Sequence, residues 1–132
     1  MKYLQPAHWP RPRGYTNGIV ASGRTVFVSG MIGSDAQGKI VAGDFVKQAS
    51  QTLKNIVEVL SEAGAKPEHI VRMNWYVVDK KEYLGAFKQL GAAYREIIGR
   101  HYPAMMAVQV ASLVEDAARV EIEVTAVVPD GQ

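Results

Sequence analysis

Residues 119–128, "RVEIEVTAVV", decide the fold class of this chain because their side chains alternate with a period of two. The apolar members of the segment are Val120, Ile122, Val124 and Ala126. The intervening members are Glu121, Glu123 and Thr125. Successive side chains of a strand point to opposite faces of a sheet. The segment therefore predicts a strand with one face against a core and one polar face.

Three other segments are typical of strands. Residues 17–30, "NGIVASGRTVFVSG", place β-branched and apolar residues on both sides of the Gly-containing turn "SGR", which predicts a hairpin. Residues 69–79, "HIVRMNWYVVD", are β-branched and aromatic. Residues 102–112, "YPAMMAVQVAS", begin at a proline corner and then alternate. The chain thus supplies enough strands for a sheet.

Two segments have the three- and four-residue spacing of amphipathic helices. The first extends from Asp44, a plausible N-cap, to a stop at Gly64. The second extends from Tyr83 to Gly99. The order β-β-α-β-α-β-β predicts an α+β fold, a single mixed sheet with both helices on one face. Nothing in the chain remains to cover the other face, which predicts self-association.

Composition limits the remaining classes. The 132 residues, 48% of them hydrophobic, predict one domain over 1–132, with residues 1–13 as an extended N-terminal arm. A net charge of +2, with scattered charges, gives no footprint for nucleic acid or a membrane surface. The chain has no cysteine, and neither a membrane span nor a signal peptide is apparent. We expect a soluble, cytoplasmic protein.

Common catalytic and metal-binding patterns are weak here. His8, His69 and His101 lack the i, i+4 spacing of a helical metal site, so no metal is expected. The serines have no nucleophile elbow, which disfavours an acyl-transfer triad. Residues 29–38, "SGMIGSDAQG", resemble a phosphate loop only superficially, since no Lys-Ser/Thr pair follows, and a turn is favoured. Residues 8–15, "HWPRPRGY", fit a base-stacking surface or an extended arm, with structural packing favoured.

Glu121 and Glu123 share one face of the strand over 119–128. A carboxylate on a central strand costs free energy unless it is hydrogen-bonded or hydrated. One interpretation is a solvated sheet edge. The other is that Glu121 faces a cleft and orients a water molecule, as a general base does.

Five segments together resemble the RidA family, also called YjgF/YER057c/UK114, from about Gly14 to Val128. They are "GYTNGI", "VFVSGMIG", "LSEAGAKPEHIVRMNWYVVD", "YPAMMAVQVASL" and "VEIEVTAV". The resemblance implies a chorismate-mutase-like α+β fold that assembles as a homotrimer, with ligand clefts between subunits. It also implies hydrolysis of reactive enamines and imines, such as 2-aminoacrylate and its imine tautomer, to a 2-keto acid and ammonia without a cofactor.

The resemblance assigns catalytic roles to Tyr15 and Glu121, which match the family's tyrosine and its water-positioning acidic residue. The family's carboxylate-binding arginine falls on Met105, its asparagine near Gly91, and a small or cysteine residue on Ala107. The full set of predicted substrate-binding residues is Ser29, Gly30, Gly91, Met105, Met106 and Ala107.

Met105 is the main departure from the family pattern. Each charge-assisted hydrogen bond contributes about 1.5–3 kcal/mol, so losing a two-bond guanidinium grip weakens recognition about a hundredfold or more. We therefore expect 2-imino acid deaminase activity to be weak or absent. Arg13, near Tyr15 on the arm, could replace the missing guanidinium. Alternatively, Met105 and Met106 simply fill gaps in the core or in the subunit interface.

The residues and the resemblance to the RidA family together leave three functions open. The first is a cofactor-free hydrolase of an imine, an enamine or a related metabolite that lacks the usual carboxylate. The second is a non-catalytic trimer that binds a small molecule in its interface clefts or binds another protein. The third, RNA cleavage or inhibition of translation, is disfavoured by the near-neutral charge.

Overall fold

Strands and helices alternate along residues 1–131, the part of the chain that the computed structural model describes. The elements are β1 (Lys2–Tyr3), β2 (Ile19–Val20), β3 (Arg24–Met31), α1 (Phe45–Glu62), β4 (Ile70–Val77), α2 (Lys80–Gly85), α3 (Phe87–Ile97), β5 (Ala104–Gln109) and β6 (Val120–Val128). A short 3-10 helix, Pro67–His69, precedes β4. The α+β class predicted from the sequence is confirmed.

A four-stranded mixed sheet has the strand order β3-β6-β4-β5. Strand β6 is antiparallel to both of its neighbours, whereas β4 and β5 are parallel. A parallel pair needs a crossover connection, and α2 and α3 provide it between β4 and β5. The segment over 119–128 thus contains the strand that joins the two halves of the sheet.

The alternation along β6 separates a covered face from an open one. Ile122 and Ala126 are completely buried, as are Leu53 and Ile56 of α1. Complete burial of an aliphatic side chain contributes about 1.5–3 kcal/mol, so these residues form the main core. On the other face, within residues 1–131, Phe27 of β3 is 78% exposed. The expectation of one uncovered face is therefore confirmed.

Helix α1 begins and ends where the sequence predicts. The Asp44 carboxylate accepts a hydrogen bond from the Lys47 amide at 3.0 Å, as an N-cap does. Gly64 follows the helix with a φ of +70°, and its amide donates to the Ser61 carbonyl at 3.0 Å. Positive φ is accessible to glycine without steric cost, so Gly64 ends the helix.

The predicted hairpin over 17–30 is wrong. Strand β2 pairs with β1, with Tyr3 opposite Ile19, and forms a separate two-stranded sheet. Strand β3 pairs with β6 instead, starting with Arg24 opposite Val128. Gly23 makes this change of partner possible, because its φ is +142° and a Cβ there would lie only 2.1 Å from the Val128 carbonyl oxygen.

The single second helix predicted over 83–99 is divided into α2 and α3. The break is at Ala86, whose φ of −104° and ψ of 7° are not helical. Gly85, a poor helix former, precedes it. The segment also begins earlier than predicted, since the Asp79 carboxylate caps α2 by accepting from the Lys81 amide at 2.9 Å.

A hydrogen-bonded carboxylate lies on the open face. Glu123 Oε1 accepts from Asn74 Nδ2 at 3.0 Å and from the Tyr76 hydroxyl at 2.7 Å. The bonds from Asn74 and Tyr76 favour the charged form, so they lower the pKa of Glu123 below 4.5, its ordinary value. The same bond to Glu123 raises the pKa of Tyr76.

We expect Glu123→Gln to reduce stability at neutral pH and to have progressively less effect as the pH falls. The pKa of Glu123 is lower in the folded chain than in the unfolded chain, so the charged carboxylate stabilises the fold. This stabilisation is complete above the unfolded pKa, and it is lost as the pH falls through the folded pKa. Urea unfolding between neutral pH and about pH 3 measures the difference. A constant difference across that range would contradict the prediction. Exposed Glu58 supplies the control, Glu58→Gln.

Candidate functional site

A cavity of about 670 Å³ lies between α2, α3, the edge strand β5 and the N-terminal arm. Its lining combines aromatic and apolar side chains with two arginines. The lining residues are Arg13, Gly14, Tyr15, Trp75, Tyr83, Phe87, Leu90, Gly91, Tyr94, Arg95, Tyr102, Met105, Met106 and Ala107. A volume of several hundred Å³ is typical of sites for small organic ligands.

Strand β5 forms one wall. Met105 pairs with Met73 and Ala107 pairs with Trp75, and both β4 residues are buried on the helix side of the sheet. Paired residues share a face, so Met105 and Ala107 also point towards the helices. Met106 borders the cavity as well, although the alternation directs its side chain to the open face. The wall offers no charged group at position 105.

Tyr15 is held at the cavity by its neighbour. The Thr16 amide donates to the Pro103 carbonyl at 3.0 Å, and the Thr16 hydroxyl donates to the Tyr102 carbonyl. Thr16 also forms a parallel bridge with Ala104 at the start of β5. These contacts fix the backbone beside Tyr15 against the strand that carries Met105. The segment 13–16, where the N-terminal arm ends, is therefore part of the site.

Aromatic rings pack together around the cavity. Tyr94 stacks on Tyr102 with ring centroids 5.5 Å apart, and Tyr83 contacts Phe87 edge-to-face at 5.1 Å. The Tyr94 hydroxyl donates to the His101 carbonyl at 2.6 Å. Burial, and to a lesser degree Tyr102, raises the pKa of Tyr94, so its hydroxyl remains a neutral donor.

Glu121, Ser29 and Gly30 form a second group on the open face. Glu121 pairs with Tyr76, which alternates with buried Trp75 and is therefore on the face opposite to the cavity. Strand β3 has an irregular register between Val28 and Met31, which includes Ser29 and Gly30. A Cβ on Gly30 would lie 2.2 Å from Glu121 Oε2. Glycine at this position thus leaves room for the carboxylate.

The residues predicted from the sequence as one site therefore lie in two groups within a single chain. Tyr15, Gly91, Met105, Met106 and Ala107 line the cavity. Ser29, Gly30 and Glu121 lie together on the other side of the sheet. One copy alone does not bring Glu121 to a ligand in its own cavity.

Arg95 was missed by the sequence reading. Its Nη1 atom lies 3.3 Å from the position that a Cβ on Gly91 would take. Among residues 1–131, no ion pair or hydrogen bond of its guanidinium is found. The i, i+4 spacing of Gly91 and Arg95 on one helix was the available signal, because residues at this spacing are neighbours on a helix surface.

The described part of the chain contains neither a metal-binding cluster nor a membrane-spanning helix. Across residues 1–131, His, Cys, Asp and Glu side chains form no group of three that could hold a metal ion. No helix in that part of the chain is both long and apolar enough to cross a membrane.

Comparisons with known proteins identify the family of this chain. The family model described as Endoribonuclease L-PSP matches residues 8–128. Human 2-iminobutanoate/2-iminopropanoate deaminase is 31% identical over 127 residues, which cover 96% of this chain and 89% of the human protein. A RutC family protein of Pyrococcus abyssi is 34% identical over 118 residues, 89% of each chain.

Solved structures of the Rid family are also similar to this chain. The crystal structure of YyfB from Yersinia pestis, described as a protein of unknown function of the conserved Rid protein family, has a TM-score of 0.81 and 31% identity, and the match covers 96% of this chain and 98% of that one. RidA from an Antarctic Psychrobacter has a TM-score of 0.69 and 31% identity, with coverage of 97% and 100%. With its α+β fold and the matched span of 8–128, this chain belongs to the RidA (YjgF/Endoribonuclease L-PSP) family.

Proposed function

We propose that this protein binds a small imine in the cavity beside Met105 and hydrolyses it without a cofactor. A second copy of the chain completes the site. The observation that supports the proposal is the division of the site residues between two faces of one sheet. A cyclic assembly brings one surface of a subunit against a different surface of the next. In such a homotrimer, the open face of one copy presents Glu121 to the cavity of its neighbour.

The chemistry needs one positioned water molecule. Glu121 accepts a proton from the water, whose oxygen forms a bond to the imine carbon while the electrons of the C=N double bond move to nitrogen. The nitrogen takes back the proton from Glu121, which gives a carbinolamine. Glu121 then moves the proton of the carbinolamine hydroxyl to the nitrogen, the C=O bond forms as the C–N bond breaks, and ammonia leaves. Tyr15, fixed beside β5 through Thr16, donates a hydrogen bond to the bound substrate. The names of the deaminase relatives are consistent with this class of reaction.

Position 105 lacks the polar side chain that a site for a very small imino acid needs. Met105 and Ala107 provide no hydrogen-bond donor from their side chains, and neither does Gly91. We therefore propose that deaminase activity on 2-iminopropanoate is weak. The same lack of polar groups favours a second candidate function, a binding protein with no turnover.

A subunit-mixing experiment tests whether one catalytic site uses two chains. An amino-acid oxidase generates the imines of methionine, leucine and phenylalanine, and semicarbazide competes with the protein for them. The mixing experiment uses the imine that the wild type hydrolyses fastest. We expect Glu121→Gln and Tyr15→Phe each to remove most of the activity. Refolding the two variants together should restore about a quarter of it, since random mixing pairs a native cavity with a native Glu121 in about one site of four.

Glu123→Gln is the matched control, because Glu123 is on the same strand and face, and glutamine retains an acceptor oxygen. It should keep the wild-type rate. Full activity of Glu121→Gln would contradict the role of the carboxylate. Absence of recovery on mixing would contradict a shared site. Tight ligand binding by a wild type that shows no turnover would favour the binding protein.

A further inference from the structure

The cavity is large and aromatic for a substrate of three or four carbons. Trp75, Tyr83 and Phe87 lie along one part of it, with centroid distances of 6.1 Å between Trp75 and Tyr83 and 5.1 Å between Tyr83 and Phe87. Tyr94 and Tyr102 form a stacked pair elsewhere in the lining. Aromatic rings prefer offset-stacked or edge-to-face partners. These walls and the volume of about 670 Å³ fit a ligand that contains a planar ring.

The charged residues that one chain contributes to the lining are all positive. Arg13 and Arg95 are cationic, and the lining includes no aspartate or glutamate. The tyrosines do not offset this charge, since burial raises the pKa values of Tyr83 and Tyr94 and keeps both phenols neutral. Glu121 of the neighbouring copy would add one negative charge to the proposed site, and the two arginines still leave it a net positive charge. A site with this balance favours an anionic ligand over a neutral or cationic one.

Arg95 is the cavity cation that lies on a helix, α3, whereas Arg13 lies on the N-terminal arm. Its Nη1 lies against Gly91, one turn earlier on α3, at 3.3 Å from the position of a missing Cβ. A side chain at position 91 would therefore crowd the guanidinium. Within residues 1–131, its donors have no carboxylate or carbonyl partner. A planar guanidinium can grip a carboxylate with two parallel hydrogen bonds.

We propose that the preferred ligand is a 2-imino acid with an aromatic side chain, together with its 2-oxo product, and that Arg95 binds the ligand carboxylate while the ring packs among the aromatic walls. The position of the guanidinium on α3, away from strand β5, leaves space for the larger ligand. This inference rests on the proposed function for the reaction, but the ligand class can be read from binding alone.

Calorimetric titration of the purified full-length protein tests the ligand class. Three probes are used: phenylpyruvate, pyruvate, and 1-phenylpropan-2-one, which has the ring and the ketone but no carboxylate. We expect phenylpyruvate to bind about tenfold or more tightly than either of the others, because only it engages both the walls and the cation. Equal affinity for pyruvate and phenylpyruvate would overturn the aromatic assignment.

Arg95→Gln tests the anion contact. It should weaken phenylpyruvate binding about tenfold or more and leave 1-phenylpropan-2-one unchanged, as expected when one charge-assisted contact is lost. Arg100→Gln, which removes an exposed arginine outside the cavity lining, is the matched control and should have little effect. Unchanged phenylpyruvate binding in Arg95→Gln would overturn the proposal, and so would a loss confined to Arg13→Gln.

Turnover separates this inference from the proposed function. If phenylpyruvate binding depends on Arg95 but no imine is hydrolysed, the ligand class stands and the hydrolase fails. If 2-iminopropanoate is hydrolysed efficiently while the aromatic probes bind no better than pyruvate, the hydrolase stands and the ligand class fails.

Discussion

Met105→Arg is expected to raise kcat/KM for 2-iminopropanoate about a hundredfold or more. Position 105 points into the cavity from β5, next to the segment that fixes Tyr15. An arginine there can grip a small carboxylate through two charge-assisted hydrogen bonds, each contributing about 1.5–3 kcal/mol. A free-energy gain of about 1.4 kcal/mol is a factor of ten. The measurement is the rate at which the variant competes with semicarbazide for freshly generated imine.

The neighbouring position supplies the control. Met106 is on the same strand, but the alternation directs its side chain to the open face, so Met106→Arg should give no comparable gain. Met105→Lys should give a smaller gain than Met105→Arg, because an ammonium lacks the planar fork. If the wild type already hydrolyses 2-iminopropanoate at the rate of Met105→Arg, the expected role of this position is wrong.

Leu53→Ala is expected to lower the free energy of unfolding by about 2–5 kcal/mol. Leu53 is completely buried in α1, where it belongs to the same core cluster as Ile122 and Val124 of β6. Truncation removes the transfer free energy of the side chain and leaves a cavity that the surrounding residues fill only in part. Urea unfolding at one fixed protein concentration measures the change, since association of folded copies would also stabilise them.

Val59→Ala provides the comparison on the same helix. Val59 is 39% exposed, so its truncation should change stability by no more than about 0.5 kcal/mol. A similar loss for both variants would show that the alternation of buried and exposed residues along α1 does not determine its packing.

Local sequence signals were sufficient where one segment determined its own conformation. Asp44 and Gly64 mark the ends of α1 because capping and positive φ depend on a few adjacent residues. Local sequence signals were insufficient to predict which strands pair with each other. The pairing of β2 with β1, and not with β3, depends on contacts between residues far apart in the chain. A Gly-containing turn at Gly23 does not by itself show whether the strands on its two sides pair with each other. The break at Ala86 had only a weak signal in Gly85.

The site shows the same division. Resemblance to the RidA family identified Tyr15, Met105, Gly91 and Ala107, all of which line the cavity. It could not show that Glu121 is on the opposite face, because the alternation of β6 and the sheet order must both be known. It also gave no reason to single out Arg95, whose proximity to Gly91 depends on side-chain direction along α3.

The sequence by itself determined the α+β class, the alternating faces of β6 and the ends of α1, whereas only the resemblance to the RidA family singled out position 105. These features follow from side-chain chemistry and from periods of a few residues. Only the tertiary structure decided which strands pair, which residues share the cavity and where the Arg95 guanidinium, unpaired within residues 1–131, lies beside it. Strand partners and the shared cavity arise from packing between segments far apart in the chain, and the i, i+4 spacing of Gly91 and Arg95 does not by itself place the guanidinium at a cavity.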